Sequence, residues 1–421
     1  MNRKTLIAAK TAAALCAAAV LTGCTLGEDR LSHPERAGIT FSWWGKDARN
    51  EYTLEGLRQF QQDNEGITVT PEYSEYEGFK ARMDVDYYSD TSADVMQLNY
   101  NWLWEYSKDG EGFYDLYELS DEINLDAFDK DDLAYGEIDG KLNAVPTGFN
   151  CVTFYYNKTM YETYGLELPT NWQDLINAAD VMRSDEVYPI ALTQKSAWLS
   201  AAAYCEQSTG KAMFSDDGEF QYEQEDIRRM LAFYQEMLKN KVSKPAWDFD
   251  RKDFEDCIVG GVAAWISDAE YYCQPLEGAG FKVVVGDYPL AKRSKSSGWY
   301  KKPTSFYAIK KTTKYPEESA KLLDYLVNSE EMALLQGTGK GVPASKAALE
   351  ALEARDMLNT IQYRATYKMN NAQTFRPMNP DLEDQQAVDA FISASEALYY
   401  DRTSLEMAAR STYNKLVELY N

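Results

Sequence analysis

Histidine is almost absent: the chain of 421 residues has one, His33. An imidazole-based zinc centre and a His-dependent nucleophilic triad are thereby excluded. Cysteine is scarce too, six in all, with no C-x-x-C pair, so a thiolate metal cluster has no support. Cys16 falls in the N-terminal apolar run and Cys24 at its end. Cys151, Cys205, Cys257 and Cys273 remain, and their spacing leaves two disulfides or four buried thiols equally open. Positive charge is in deficit, 43 Lys and Arg against 67 Asp and Glu, for a formal net charge of −24. A body this acidic repels polyanions, so a nucleic-acid partner is excluded. Beyond the N-terminus there is no apolar run long enough to span a bilayer.

That N-terminus has the anatomy of an export signal. Asn2-Arg3-Lys4 precedes a short alanine-rich run ending in Leu21-Thr22-Gly23-Cys24. The last four residues resemble the lipobox of bacterial lipoproteins, which implies cleavage before Cys24 and acylation of its thiol. Residues 1–23 are thus read as a lipoprotein signal peptide and 24–37, polar and without periodicity, as a tether. Losing the signal removes Arg3, Lys4 and Lys10 and no acid, taking the formal charge from −24 to −27. Membrane contact is then expected through lipid alone, and two or more acyl chains would make it stable.

The body opens on Ile39–Asp47, a strand ending in Trp43-Trp44. Successive strand side chains face opposite ways, so one indole can follow the core and the other cannot. Leu54, Leu57 and Phe60 then mark a helix stopped by Asn64-Glu65-Gly66; Ile67–Thr70 alternates as a strand; after another helix, Asp94–Leu98 is a short buried strand. This β-α-β-α-β order predicts an α/β sheet whose ligands collect beyond the strands' C-terminal ends. The acidic stretch around Asp129, Asp131 and Asp132 lacks the EF-hand glycine and reads as a solvated face. Further on, 141–145 and 152–156 read as strands flanking Pro146-Thr147-Gly148. Pro169 leads into a helix with a capping box on Thr170 and Gln173 and a stripe of Trp172, Leu175, Ile176, Ala179 and Met182.

In order and spacing, "FSWWG", "ADVMQLN", "GKLNAVP", "YYNK", "YGLELPTNWQDL", "FEDCIVGGVAAWISD" and "ESAKLLDYLVNSEE" resemble the extracellular solute-binding proteins of carbohydrate ABC importers, the family of maltose-binding protein. Gly-Gly-Val-Ala-Ala-Trp departs from that family's usual Gly-Lys-x-Ala-Met. The resemblance implies an α/β, two-lobe periplasmic-binding-protein-like (type II) fold. Each lobe would be a mixed sheet flanked by helices, and the lobes would be joined by a hinge. Residues 38–148 plus 302–347 would form one lobe and 149–301 plus 348–421 the other. It further implies a monomer without cofactor or metal, lipid-anchored on the outer face of the cytoplasmic membrane of a Gram-positive cell. Such a protein captures a mono- or oligosaccharide and delivers it to ABC permease subunits.

A pyranose presents apolar C–H faces and a hydroxyl edge, so its binder needs aromatic rings and planar polar groups. Position selects them. Trp44, Lys46 and Asp47 follow the first strand; Asn99, Asn101 and Trp102 follow the third; Asn150 lies just past the first crossover. From the second lobe come Trp198, then Ser267, Asp268 and Glu270 after a strand on which Trp265 turns into packing. Glu270 stands where the family commonly has a stacking tryptophan, which shifts the ring to Tyr271 or Trp299. Competing readings keep the fold and bind a polyamine or peptide, use Asp47, Asp268 and Glu270 as a glycosidase carboxylate pair, or make the body a surface receptor without transport.

Overall fold

A computed structural model describes residues 36–215, 217–371 and 375–420. The signal, its lipobox and Cys24 lie outside them. Alternation along β1 (Ala37–Trp44) sends Ile39, Phe41 and Trp43 to one face, where they meet Leu57 and Phe60 of the helix Asp47–Asp63. Thr53, Leu57 and Phe60 are the buried stripe of that helix, while Leu54 is left at the surface. Trp44 turns to the opposite face, over Phe79 and Trp102.

The other strands are β2 (Ile67–Ser74), β3 (Val95–Leu98), β4 (Glu137–Ile138), β5 (Lys141–Leu142), β6 (Val145–Pro146), β7 (Phe149–Asn150), β8 (Val152–Asn157), β9 (Ile190–Leu192), β10 (Ser243–Lys244), β11 (Gly261–Trp265), β12 (Val283–Val285), β13 (Tyr300–Pro303), β14 (Phe306–Ile309) and β15 (Arg376–Pro377). The first lobe is built on the sheet β2-β1-β3-β14-β6, in which β1 runs parallel to β2 and β3 while β14 is antiparallel to β3 and β6. The second has the sheet β10-β9-β11-β8-β12, with β9 parallel to β10 and β11, and β8 antiparallel to β11 and β12. Helices cover both sheets, so the two-lobe α/β expectation holds. The stretch read as a single strand over 141–145 is two short ones, β5 and β6.

Between the lobes β13 pairs antiparallel with β7, Lys302 opposite Asn150, and parallel with β15, Tyr300 opposite Arg376. A further crossing is tied down where Ala344 N–H donates to Thr147 O (3.2 Å) and Thr304 N–H to Gly148 O (2.8 Å). The sequence placed the last passage at residue 347. The helix Lys346–Ala354 instead packs Ala348 and Leu352 against Ala333 of the first lobe, and only the helix Ile361–Asn371 reaches the second sheet.

Local chemistry explains another shift. No capping box forms on Thr170 and Gln173: Asn171 is the N-cap, its Oδ1 accepting from Asp174 N–H (3.0 Å), and Asp174 accepts from Thr170 N–H (3.0 Å) and Thr170 Oγ1 (2.8 Å). Asparagine caps as well as threonine, and this register lets Trp172 open the helix while buried. All four remaining cysteines are free thiols. Burial pushes Cys151 and Cys205 each up to about 11, which keeps them protonated. Among the described residues no helix is long and apolar enough to cross a membrane.

Candidate functional site

A cavity of about 420 Å³ opens between the lobes where β1, β3 and β11 end. The first lobe lines it with Trp44, Arg49, Tyr76, Gln97 and Asn99, and the second with Lys195, Trp265, Ser267, Asp268 and Glu383. Between them the crossing segments bring Asn150, Lys302, Thr304, Ser305 and Lys340. It continues into an outer groove of about 700 Å³, which shares Tyr76, Asn99, Lys195 and Glu383 and adds Asn101 and Trp104.

The aromatic wall is layered. Trp102, buried, stacks on Tyr76 (centroids 5.6 Å, 17°) and takes the edge of Trp44 at 5.4 Å. Trp44 and Tyr76 therefore reach the cavity, whereas Trp102 supports them from behind. Trp43 is fully buried: it stacks on Tyr73 at 4.8 Å, and its Nε1 donates to Asn50 Oδ1 at 3.0 Å. The tryptophan pair thus divides between core and cleft.

Polar groups follow. Asn99 Nδ2 donates to Tyr76 Oη (3.1 Å) and Asn101 Oδ1 (2.9 Å), holding both amides at the wall. Asn150 is buried and spent on Ser267, donating to its Oγ (3.0 Å) and accepting from its N–H (3.3 Å), so it joins hinge to cleft rim. Gln97 Oε1 and Thr304 Oγ1 are buried in the cavity lining without a hydrogen-bond partner. Such orphaned groups are costly and mark places for a ligand's polar atoms.

The charged floor was not anticipated. Lys302 Nζ donates to Glu383 at 2.6 Å and lies 4.8 Å from the ring centroid of Trp265; Lys195 reaches the same carboxylate at 3.7 Å. Burial depresses the Lys302 ammonium below its ordinary value even with Glu383 opposing. Burial likewise raises the Asp268 carboxyl, with Ser267 and Lys302 opposing.

Several sequence candidates lie elsewhere. Trp198 is fully buried, its Nε1 donating to Leu382 O (3.1 Å) and its ring against Phe391. Trp299 is buried between Phe154 and Trp172, with Nε1 on Pro289 O. Trp198 is a core residue on an inward face of the helix Gln194–Thr209, and Trp299 is one in the segment just before β13. Tyr271 is exposed on the helix Ala269–Gly278 under Arg251, and Glu270 accepts from Gln274 one turn on. Lys46 pairs with Glu75 at the surface (2.9 Å), beside the exposed Asp47. None of these four surface residues lines the cavity. The carboxylate pair imagined from Asp47, Asp268 and Glu270 is therefore not assembled there; the cavity's acids are Asp268 and Glu383. Trp265 packs against the core as expected and also lines the cleft. Tyr76 was findable, since it follows the C-terminal end of β2, and Lys340 stands in a glycine-rich "GTGKG" run.

Two sheets joined by crossing strands over a lined cleft define a two-lobe binding protein. Residues 57–360 match the bacterial extracellular solute-binding proteins, and the chain belongs to that family. Among solved structures it is similar to a periplasmic solute binding protein of Pectobacterium atrosepticum (25% identity, 91% of this chain and 98% of that one, TM-score 0.83). It is also similar to a periplasmic oligogalacturonide binding protein of Yersinia enterocolitica in complex with saturated digalacturonic acid (28%, 91% and 98%, 0.81). A de novo designed cysteine esterase has the same fold (27%, 92% and 98%, 0.83). The esterase activity belongs to that design.

Proposed function

We propose that the protein captures a saccharide in the interlobe cleft and delivers it to the permease of an ABC importer, breaking no bond. The observation that carries this is the platform of half-buried Trp44 and exposed Tyr76 beside the unpartnered Gln97 Oε1 and Thr304 Oγ1. A ring face and a hydroxyl edge need those two kinds of group together. The Yersinia neighbour, which holds a sugar acid, supports the reading. The four cations lining the cavity disfavour a polyamine. On the same reading Cys24 carries the lipid that holds the protein at the cell surface, and the lobes close on the sugar by a hinge.

Thermal unfolding of the chain beginning after Cys24, against mono- and oligosaccharides with spermidine and a peptide mixture as controls, tests this. A shift of several degrees with a glycan class and no cleavage product is expected. A shift with spermidine or peptide alone would overturn the saccharide assignment.

A further inference from the structure

The cavity is a cationic pocket in a protein of formal charge −24: Arg49, Lys195, Lys302 and Lys340 line it, against Asp268 and Glu383. Lys195 and Lys302 share Glu383. Arg49 and Lys340 form no ion pair among the described residues. Lys340 is 2% exposed; its Nζ donates to Tyr307 Oη at 2.5 Å and sits 5.1 Å from that ring and 5.9 Å from Tyr52. Burial holds its ammonium well below the ordinary value, and Arg49 depresses it further. An unpaired cation in such a place is unfavourable unless an anion joins it.

The loop that presents Lys340 is built for it. Gly341 has φ +102°, and a Cβ there would lie 2.9 Å from Thr304 Oγ1. Arg49 Nη2 donates to Gly339 O at 2.9 Å, so one unpaired cation positions the other. We propose, resting on the saccharide reading above, that the inner cavity takes a sugar unit bearing one carboxylate, a uronate, with Arg49 and Lys340 as its receptors. A guanidinium offers a carboxylate two parallel donors and the ammonium adds a third. A phosphate would bring a second negative charge to face Asp268 and Glu383, which line the same cavity. The outer groove sets four acids, Glu105, Asp381, Glu383 and Asp384, against Lys108 and Lys195, so its balance is acidic and the rest of the saccharide extends outward as neutral units.

The test is calorimetric titration of the chain beginning after Cys24 with three disaccharides: one with a single terminal galacturonate, its methyl ester, and the galactose counterpart. The acid is expected to bind at least tenfold more tightly than the other two. Lys340→Met, and independently Arg49→Gln in case the first fails to fold, should each cut that preference to less than threefold. Equal affinity for acid and ester, tighter binding of a sugar phosphate, or full preference retained in both variants would overturn the uronate. Binding of neutral sugars alone would overturn it and leave the saccharide reading standing. Failure of every sugar, here and in the thermal panel, would remove the saccharide reading itself.

Discussion

Neighbouring tryptophans make different contributions at the residue scale. Trp43 has no exposure and packs with Phe41 and Tyr73, so Trp43→Ala should cost about 3–5 kcal/mol of stability, read by urea denaturation. Trp44 leans on Tyr76 and Trp102 with one side in the cleft; Trp44→Ala should cost less stability yet weaken saccharide binding about tenfold by calorimetry. Equal stability losses would contradict the division. Lys340 should behave in the opposite sense to most buried residues. Its folded-state value lies below the ordinary 10.5, so across that window the unfolded chain holds a proton the native one lacks. Stability contributed by this site therefore rises with pH there, and below the folded value the burial penalty is felt whole. The groups facing it are Arg49, also cationic, and Tyr52 and Tyr307, whose phenols burial raises and keeps neutral. Lys340→Met should accordingly stabilise the ligand-free protein by about 1–2 kcal/mol and flatten the rise of stability with pH below the ordinary lysine value, as chemical denaturation would read.

Among elements, the short connections carry the site. The 337–341 loop needs left-handed backbone at Gly337 and Gly341. A side chain at Gly341 meets both backbone strain and Thr304, so Gly341→Ala should cost about 1–3 kcal/mol and lower ligand affinity by displacing Lys340; differential scanning calorimetry and titration would show both. The strand ends are the other half of the arrangement. β1 and β3 stop where Trp44 and Asn99 are needed, while β11 stops at Trp265 so that Ser267 can bond Asn150 of β7. A five-strand sheet in each lobe holds these ends rigid, which is why aromatic and amide groups on loops can face one point.

Across the whole molecule, both lobes and the crossing strands line the cleft, so on the proposed reading occupancy and closure would be one equilibrium. Ligand favours closure by as much as it binds the closed state better than the open one. Small-angle scattering should show the radius of gyration fall when saturating sugar is added. An unchanged value would mean that the lobes are already set. The hinge is thin, with Lys302 opposite Asn150 and Lys301 opposite Pro377, and a proline has no N–H to give to a ladder. Such a junction suits rotation more than a wide sheet would.

Periodicity and turn chemistry were enough to read the α/β order, the buried stripe on Trp172, Leu175, Ala179 and Met182, and the split of Trp43 from Trp44, because these are set by neighbours within a few residues. The same local rule located Asn99 and Ser267 beyond strand ends in the cavity lining, and Asn101 in the outer groove. It failed for Trp198 and Trp299, whose rings look like any other exposed candidate until Phe391 and Phe154, far along the chain, close over them. It also could not assemble the charged floor. Lys302, Glu383 and Lys195 are separated by scores of residues and acquire their meaning at 2.6 and 3.7 Å, and Lys340 becomes an unpaired cation only because folding buries it beside Arg49. Sequence alone therefore determined the element order and the excluded chemistries, since composition and local pattern act at short range, while the two-lobe type was implied by the family resemblance of its motifs. Which groups meet across the cleft, and with what charge, was decided by tertiary structure, because burial and Coulomb interaction depend on distance in space.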